Sequence, residues 1–397
     1  MINQTHAAKS DFYIKIFLIS VEILLLFFIK IQINNLLIAE NGDTYEFFQM
    51  AQDIRNGNFP DGKRMILFPL ILSLADKNSF VPWGRLITTV FYFSSIFLIY
   101  LIVHRLTGNK IISLCAATVY SLNTVILDNS FYIMSDSLST YLILLFFYFS
   151  LKDKKNYILL ALIAGLAFLT RVENVVLFAA LGLNLLLIRD RRTLIKTTLI
   201  AGALILLMLA KNYIKFGNPV FTGYTQDQAG FNITIKNVYL ALANIIFLVG
   251  GLWFLPLLIE SAKSIKFNRA YLTEAGRNIP LVTTALLTMI LMMWSPVVRL
   301  YSVLVSLLII WVFYYFNKTY DQSIRFKKSH LIMLALSLIL FLIATQIFNQ
   351  KDYGMFKISK ATNIVISCIV FYLVFLSEKQ IVTPLDLVLQ QSILDME

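Results

Sequence analysis

The sequence predicts an all-α polytopic membrane protein with about twelve transmembrane helices, and three observations carry that prediction. First, 58% of the 397 residues are hydrophobic, only 14% are charged and the mean hydropathy is +0.76. That leaves too little polar surface to cover a soluble globule of this size. Second, apolar runs recur along the whole chain at lengths close to the roughly 20 helical residues that cross a hydrocarbon core. Third, the basic residues behind the net charge of +12 sit in short connections between those runs. That placement orients a membrane protein and argues against nucleic-acid binding.

Taken in order, the runs give spans at 12–38, 83–103, 110–127, 133–151, 156–170, 173–188, 193–212, 237–260, 279–295, 297–316, 330–348 and 361–377. The first is longer than a cleaved signal peptide and has many spans after it, so it reads as a retained anchor. The fifth and sixth are short and form a tight hairpin whose turn holds Arg171 and Glu173. Cys115 and Cys368 lie inside apolar runs and read as small buried hydrophobes, with no disulfide or metal pair implied.

Translocation disfavours basic loops, so the distribution of Lys and Arg sets the orientation. Segments 104–110, 152–155, 189–196, 261–278 and 317–330 hold 17 basic residues in 51 positions. The alternate set, 39–82, 127–133, 171–173, 211–236, 295–299 and 349–362, holds 12 in 99. The first set is therefore expected in the cytoplasm, together with both termini. One transmembrane domain, 1–377, precedes a short cytoplasmic tail, 378–397.

The longest outer segment is the loop 39–82. Within it "DTYEFFQMAQDIRNG" places Tyr45, Phe48 and Ile54 on one side of a helix, with Phe47 and Met50 widening the face, as suits a helix lying in the membrane interface. Gly57 is its stop signal. A second apolar piece, "RMILFPLILSLA" at 64–75, is too short to span. Two interfacial helices are thus expected, one beginning at Asp43 and the other at Arg64.

Several features here resemble the GT-C membrane glycosyltransferases. They are the acid just after the first span, a basic residue before "PLILSL", "GLAFLTRVENVVLF" at 165–178 and "KNYIKFGNPVFTGY" at 211–224. The resemblance covers roughly residues 12–316, and the relatives it points to are the bacterial aminoarabinose transferases and the protein O-mannosyltransferases. It implies transfer of a sugar from a polyprenyl phosphate on the extracytoplasmic face. The chemistry is self-consistent. The attacking hydroxyl needs a base, which one carboxylate supplies. The phosphate leaves without a second acid but needs cations on its departing oxygen, a task for which arginine is well shaped.

The resemblance makes Asp43 the catalytic base; a helix-start charge favoured by the dipole is the alternative. Lys63, Arg64, Arg171 and Arg299 match donor phosphate-binding positions, with headgroup contact the alternative for the first two. Glu46, Asp136, Glu173, Tyr301 and Tyr213 are supporting candidates. Glu46 also reads as an exposed interfacial acid, Asp136 as helix-start capping together with Ser135, and Arg171 with Glu173 as a structural ion pair. Relatives often carry Arg-Tyr where this chain has Arg299-Leu300-Tyr301. His104 and His330 fall on the cytoplasmic side and His6 in the N-terminal tail, so no histidine metal site is expected outside. A divalent cation at Glu46 stays open.

The expected function is an inverting glycosyltransferase of a bacterial inner membrane. It uses a polyprenyl-phosphate sugar and a lipid-linked or cell-envelope glycan acceptor, with lipids as its other partners. Thr44, where protein mannosyltransferases carry a second acid, weighs against a protein acceptor. A polysaccharide polymerase using a polyprenyl diphosphate shares the topology and the outer arginines. A transporter or flippase instead needs ionisable residues near mid-bilayer, and few occur.

Overall fold

The computed structural model describes residues 42–60, 64–218, 278–294 and 302–320, and all its regular structure is helical. Two short helices lead the described chain, α1 (Gly42–Arg55) and α2 (Leu67–Leu72), and a 3₁₀ turn at Lys77–Ser79 runs into α3 (Phe80–Thr107). Then come α4 (Lys110–Leu122), α5 (Thr124–Phe131), α6 (Asp136–Ser150) and α7 (Tyr157–Phe168). A second 3₁₀ turn, Val172–Val175, precedes α8 (Val176–Leu187) and α9 (Arg191–Phe216). Ile279–Trp294 forms α10 and Ser302–Tyr320 forms α11.

The longer helices are bounded by identifiable caps. Gly108 and Gly217 adopt the left-handed conformation, φ 69° and 67°, and their amides return to the carbonyls of His104 and Tyr213, closing α3 and α9. Asn156 and Asp190 cap the starts of α7 and α9, their side-chain oxygens accepting from the amides of Leu159 and Thr193 at 3.1 Å.

Two segments are long and apolar enough to cross a membrane, Lys77–Thr107 and Arg191–Ile214. The α9 segment keeps Ile195, Leu199, Leu206 and Leu207 more than half exposed, a stripe that water would not tolerate and lipid would. Apolar helices too short to qualify by length lie within α4, α6, α7, α8, α10 and α11. The expected spans 83–103, 133–151, 156–170, 173–188, 193–212 and 279–295 coincide with helices, and the described part of 297–316 falls in α11. The spans 12–38, 237–260, 330–348 and 361–377 lie outside the described residues.

One expected span is broken. The run 110–127 divides into α4 and α5 because Asn123 turns its side chain onto the new helix start, Oδ1 accepting from the Ile126 amide at 3.3 Å. The burial of α1 also differs from the expected face. Thr44, Phe47, Met50 and Ala51 are buried, Phe48 and Ile54 are half-buried, and Tyr45 is 57% exposed. Phe47 meets Phe68 of α2 edge-on at 5.2 Å, and a residue two positions away on a helix points to the far side.

Helix α3 runs through the middle of the bundle, packed against α4, α6 and α11. Gly84 lets it approach closely, since a β-carbon there would overlap Ile133. Helix ends fall into two groups. The starts of α3, α6 and α8 and the ends of α7 and α9 gather beside α1 and α2. The end of α3 meets α11 at the opposite pole, where Asn317 Nδ2 donates to the Thr107 carbonyl at 3.4 Å.

Candidate active site

The α1 end of the bundle is assembled by three long-range bonds. The Thr44 hydroxyl donates to the Ile133 carbonyl at 3.4 Å, just before α6. The Leu67 amide donates to the Leu169 carbonyl at 2.9 Å, tying α2 to the end of α7. Lys211, near the end of α9 and only 8% exposed, donates from Nζ to the Arg64 carbonyl at 2.8 Å across 147 positions of sequence. Segments remote in sequence are thereby brought to one place.

Two clusters of charge result. In the first, Arg64 is paired with both Asp43 and Glu46; its Nη2 donates to Asp43 Oδ1 and its Nε to Glu46 Oε2, the latter at 3.0 Å. Asp43 and Glu46 are presented by the first turns of α1, where the helix N-terminus favours negative charge. The guanidinium also lies 5.8 Å from the centre of the Phe47 ring. In the second, Arg171 donates from Nη1 to Asp136 Oδ1 at 2.6 Å and from Nε to Glu173 Oε1.

The support beneath the second cluster is built by Asn174. Fully buried, it donates from Nδ2 to Ser139 Oγ at 2.8 Å and to the Ala167 carbonyl at 2.7 Å, locking the 3₁₀ turn against α6 and α7. Asp136 stands in the first turn of α6, and Ser135 makes no side-chain capping bond, so the acid serves Arg171 and not a cap. Asp136 also borders a small pocket with Tyr92, Ser95, Tyr120, Asn129 and Ser302.

The structure thus brings together Asp43, Glu46 and Arg64, and separately Asp136, Arg171 and Glu173. Tyr213 is 62% exposed and makes no hydrogen bond to either cluster. Lys63, Arg299 and Tyr301 lie outside the described residues, as do His6, His330 and Cys368. Two residues of the site were not singled out from sequence, Lys211 and Asn174. Their only signal was polarity beside an apolar run, Lys211 heading the "KNYIKFGNPVFTGY" stretch and Asn174 within "RVENVV". Among the described residues no group of three or more His, Cys, Asp or Glu is placed to hold a metal ion.

Carboxylates and arginines thus mass at one end of a helical bundle, near the point where the polar loop meets the apolar helices, an arrangement suited to an enzyme that works on lipid-linked substrates. The chain belongs to the Alg9-like mannosyltransferase family, whose model matches residues 3–238. It is therefore a glycosyltransferase, in a family within the GT-C superfamily to which the sequence motifs pointed. The match covers both charge clusters and Lys211. No curated protein and no solved structure matches the chain. Membership favours group transfer over transport.

Proposed function

We propose that this enzyme moves mannose, with inversion, from a polyprenyl-phosphate donor to a lipid-linked or cell-envelope glycan on the extracytoplasmic face of a bacterial plasma membrane. The observation that carries the proposal is the pairing of Arg64 with Asp43 and Glu46 next to a lipid-facing bundle. A phosphate-binding cation and a proton acceptor share one small site. The sugar follows from the family's name alone, and the orientation from the basic fringe of Arg105, Lys110, Lys152, Arg189, Arg191 and Arg192 around the opposite pole.

In this reading the acceptor hydroxyl attacks the anomeric carbon. Its proton passes to the Asp43 carboxylate, and the bond between that carbon and the phosphate oxygen breaks with its electrons going to the phosphate. Arg64 stabilises the charge growing on the leaving oxygen, and Arg171 holds the neighbouring wall. Incoming phosphate competes with Asp43 and Glu46 for the Arg64 fork, so donor binding and release of the base are one event. A single displacement inverts the anomeric centre. Twelve spans and the cytoplasmic placement of both termini complete the picture.

The test is donor by donor: purified protein in lipid with radiolabelled polyprenyl-phosphate mannose, other polyprenyl-phosphate sugars, and a polyprenyl-diphosphate oligosaccharide, each alone. Transfer from the monophosphate mannose donor with inverted anomeric coupling by NMR is expected. Transfer from the diphosphate alone would install the polymerase reading, and retained configuration would overturn the single displacement.

A further inference from the structure

We propose that Lys211 is a positioning residue for transfer, holding the Arg64 backbone so that the guanidinium lies between Asp43 and Glu46; this rests on the role given above to Asp43 and Arg64. The lysine does not reach the carboxylate cluster by simple proximity in sequence. It comes from the last turns of α9, 147 positions away, and its ammonium donates to the Arg64 carbonyl at 2.8 Å. At 8% exposure it is buried, and a buried ammonium is costly unless hydrogen-bonded, so a loop position that keeps the Arg64 carbonyl within its reach is favoured.

The geometry makes the consequence specific. Residues 64 and 67 are the points where the segment before α2 is fastened to the bundle, by Lys211 at one and the Leu169 carbonyl at the other. The Leu67 bond fixes height against α7. The Lys211 bond fixes the peptide from which the Arg64 side chain departs. Arg64 must then satisfy two carboxylates three residues apart on one face of α1 at once, an arrangement that tolerates little drift of its backbone. Lys211 acts through Arg64, touching neither sugar nor phosphate.

The experiment has two readouts. In hydrogen exchange on the full-length protein in lipid, Lys211→Met is expected to speed exchange across 64–72 while leaving α6 and α7 unchanged, and Lys211→Arg to restore much of the protection. In transfer assays with polyprenyl-phosphate mannose, Lys211→Met is expected to lower kcat/KM about tenfold, chiefly through donor KM, as befits loss of one charged hydrogen bond. In an Arg64→Ala background the same change should cost less than about twofold, since the lysine's effect passes through the missing side chain.

An equal loss in both backgrounds makes Lys211 a general structural residue and overturns the inference, as does unchanged exchange at 64–72. Should Lys211→Met fail to insert, Lys211→Gln carries the same two measurements. The outcomes separate from those of the parent reading. If Asp43→Asn transfers at the wild-type rate, the base assignment falls while the exchange result still decides the tether. If Asp43→Asn is inactive and Lys211→Met is wild type in both readouts, only the tether falls.

Discussion

The two poles of the bundle treat charge in opposite ways. At the pole opposite α1, charged groups are settled locally. Asp190 caps the helix that follows it, and Lys152 lies over the Phe149 ring at 4.4 Å, three residues away. At the α1 pole, Arg64 reaches back 18 and 21 positions, Arg171 reaches 35, and Lys211 reaches 147. Local bonds form while a helix forms and help it stop and start. Long-range charged bonds exist only after the whole bundle has packed, and each takes ordering and desolvation to make. A pole that carries so many of them is the one to which the proposed function assigns the site.

If that separation holds, the largest effect belongs to Asp43. Asp43→Asn keeps the size of the side chain but cannot accept the proton of the attacking hydroxyl. We expect transfer to fall by roughly 10²–10⁴-fold with the protein still inserted and monodisperse. Wild-type turnover by purified Asp43→Asn removes the base and, with it, the main reason for calling this pole the site.

The arginines sharpen the comparison within the pole. Arg64 pairs with acids 26% and 21% exposed, whereas Arg171 pairs with Asp136, 5% exposed, and Glu173, 14% exposed. Arg64→Ala should weaken donor binding about tenfold to a hundredfold, as loss of a charged hydrogen bond does, with little change in thermal stability. Arg64→Lys should recover only part, since a point charge cannot hold two carboxylates or a phosphate with the same two-pronged fit. Arg171→Ala strands Asp136 inside the bundle, so it should lower stability as well, on the order of 3 kcal/mol. Titration of donor binding beside melting curves for both variants checks this. Equal melting losses would show that the first cluster is as structural as the second.

How much of this was legible in the sequence follows the same division. The apolar runs at 83–103 and 193–212 fixed α3 and α9 because hydrophobicity and length are local properties. The break at Asn123 was hidden, since one side-chain bond to the Ile126 amide decided it inside an otherwise continuous run. The buried face of α1 was ambiguous because Tyr45, Phe47 and Phe48 put aromatic rings on several sides, and only contact with Phe68 chose among them. Charges at the ends of apolar runs marked Asp43, Arg64, Asp136, Arg171 and Glu173 as candidates. The pairing of Arg171 with Glu173, two residues apart, was readable; that Arg64 met Asp43 and Glu46, that Arg171 also met Asp136 and that Lys211 reached Arg64 was not, because those bonds join residues distant in sequence.

The smallest expected effect lies at the opposite pole and tests the contrast from the other side. Asp190 is half-buried, and its carboxyl is held below the usual carboxylate range, first by the hydrogen bonds it accepts from Thr193 and then by the positive charges of Arg192 and Lys196. A carboxyl whose folded value is depressed stabilises the folded state above its unfolded value, near 4, and loses that contribution as pH falls through the folded value. Asp190→Asn keeps an acceptor for the Thr193 amide but removes the charge. The variant should therefore melt slightly below the wild type at pH 7, and the gap should close as the pH is taken below about 4, where the wild-type carboxyl is itself becoming neutral. Transfer at pH 7 should match the wild type, because the cap starts α9 more than a dozen residues before Lys211 and touches neither cluster. A loss of transfer as large as that of Arg64→Ala would mean that the two poles are coupled through α9, and the division between local and long-range charge would have to be given up.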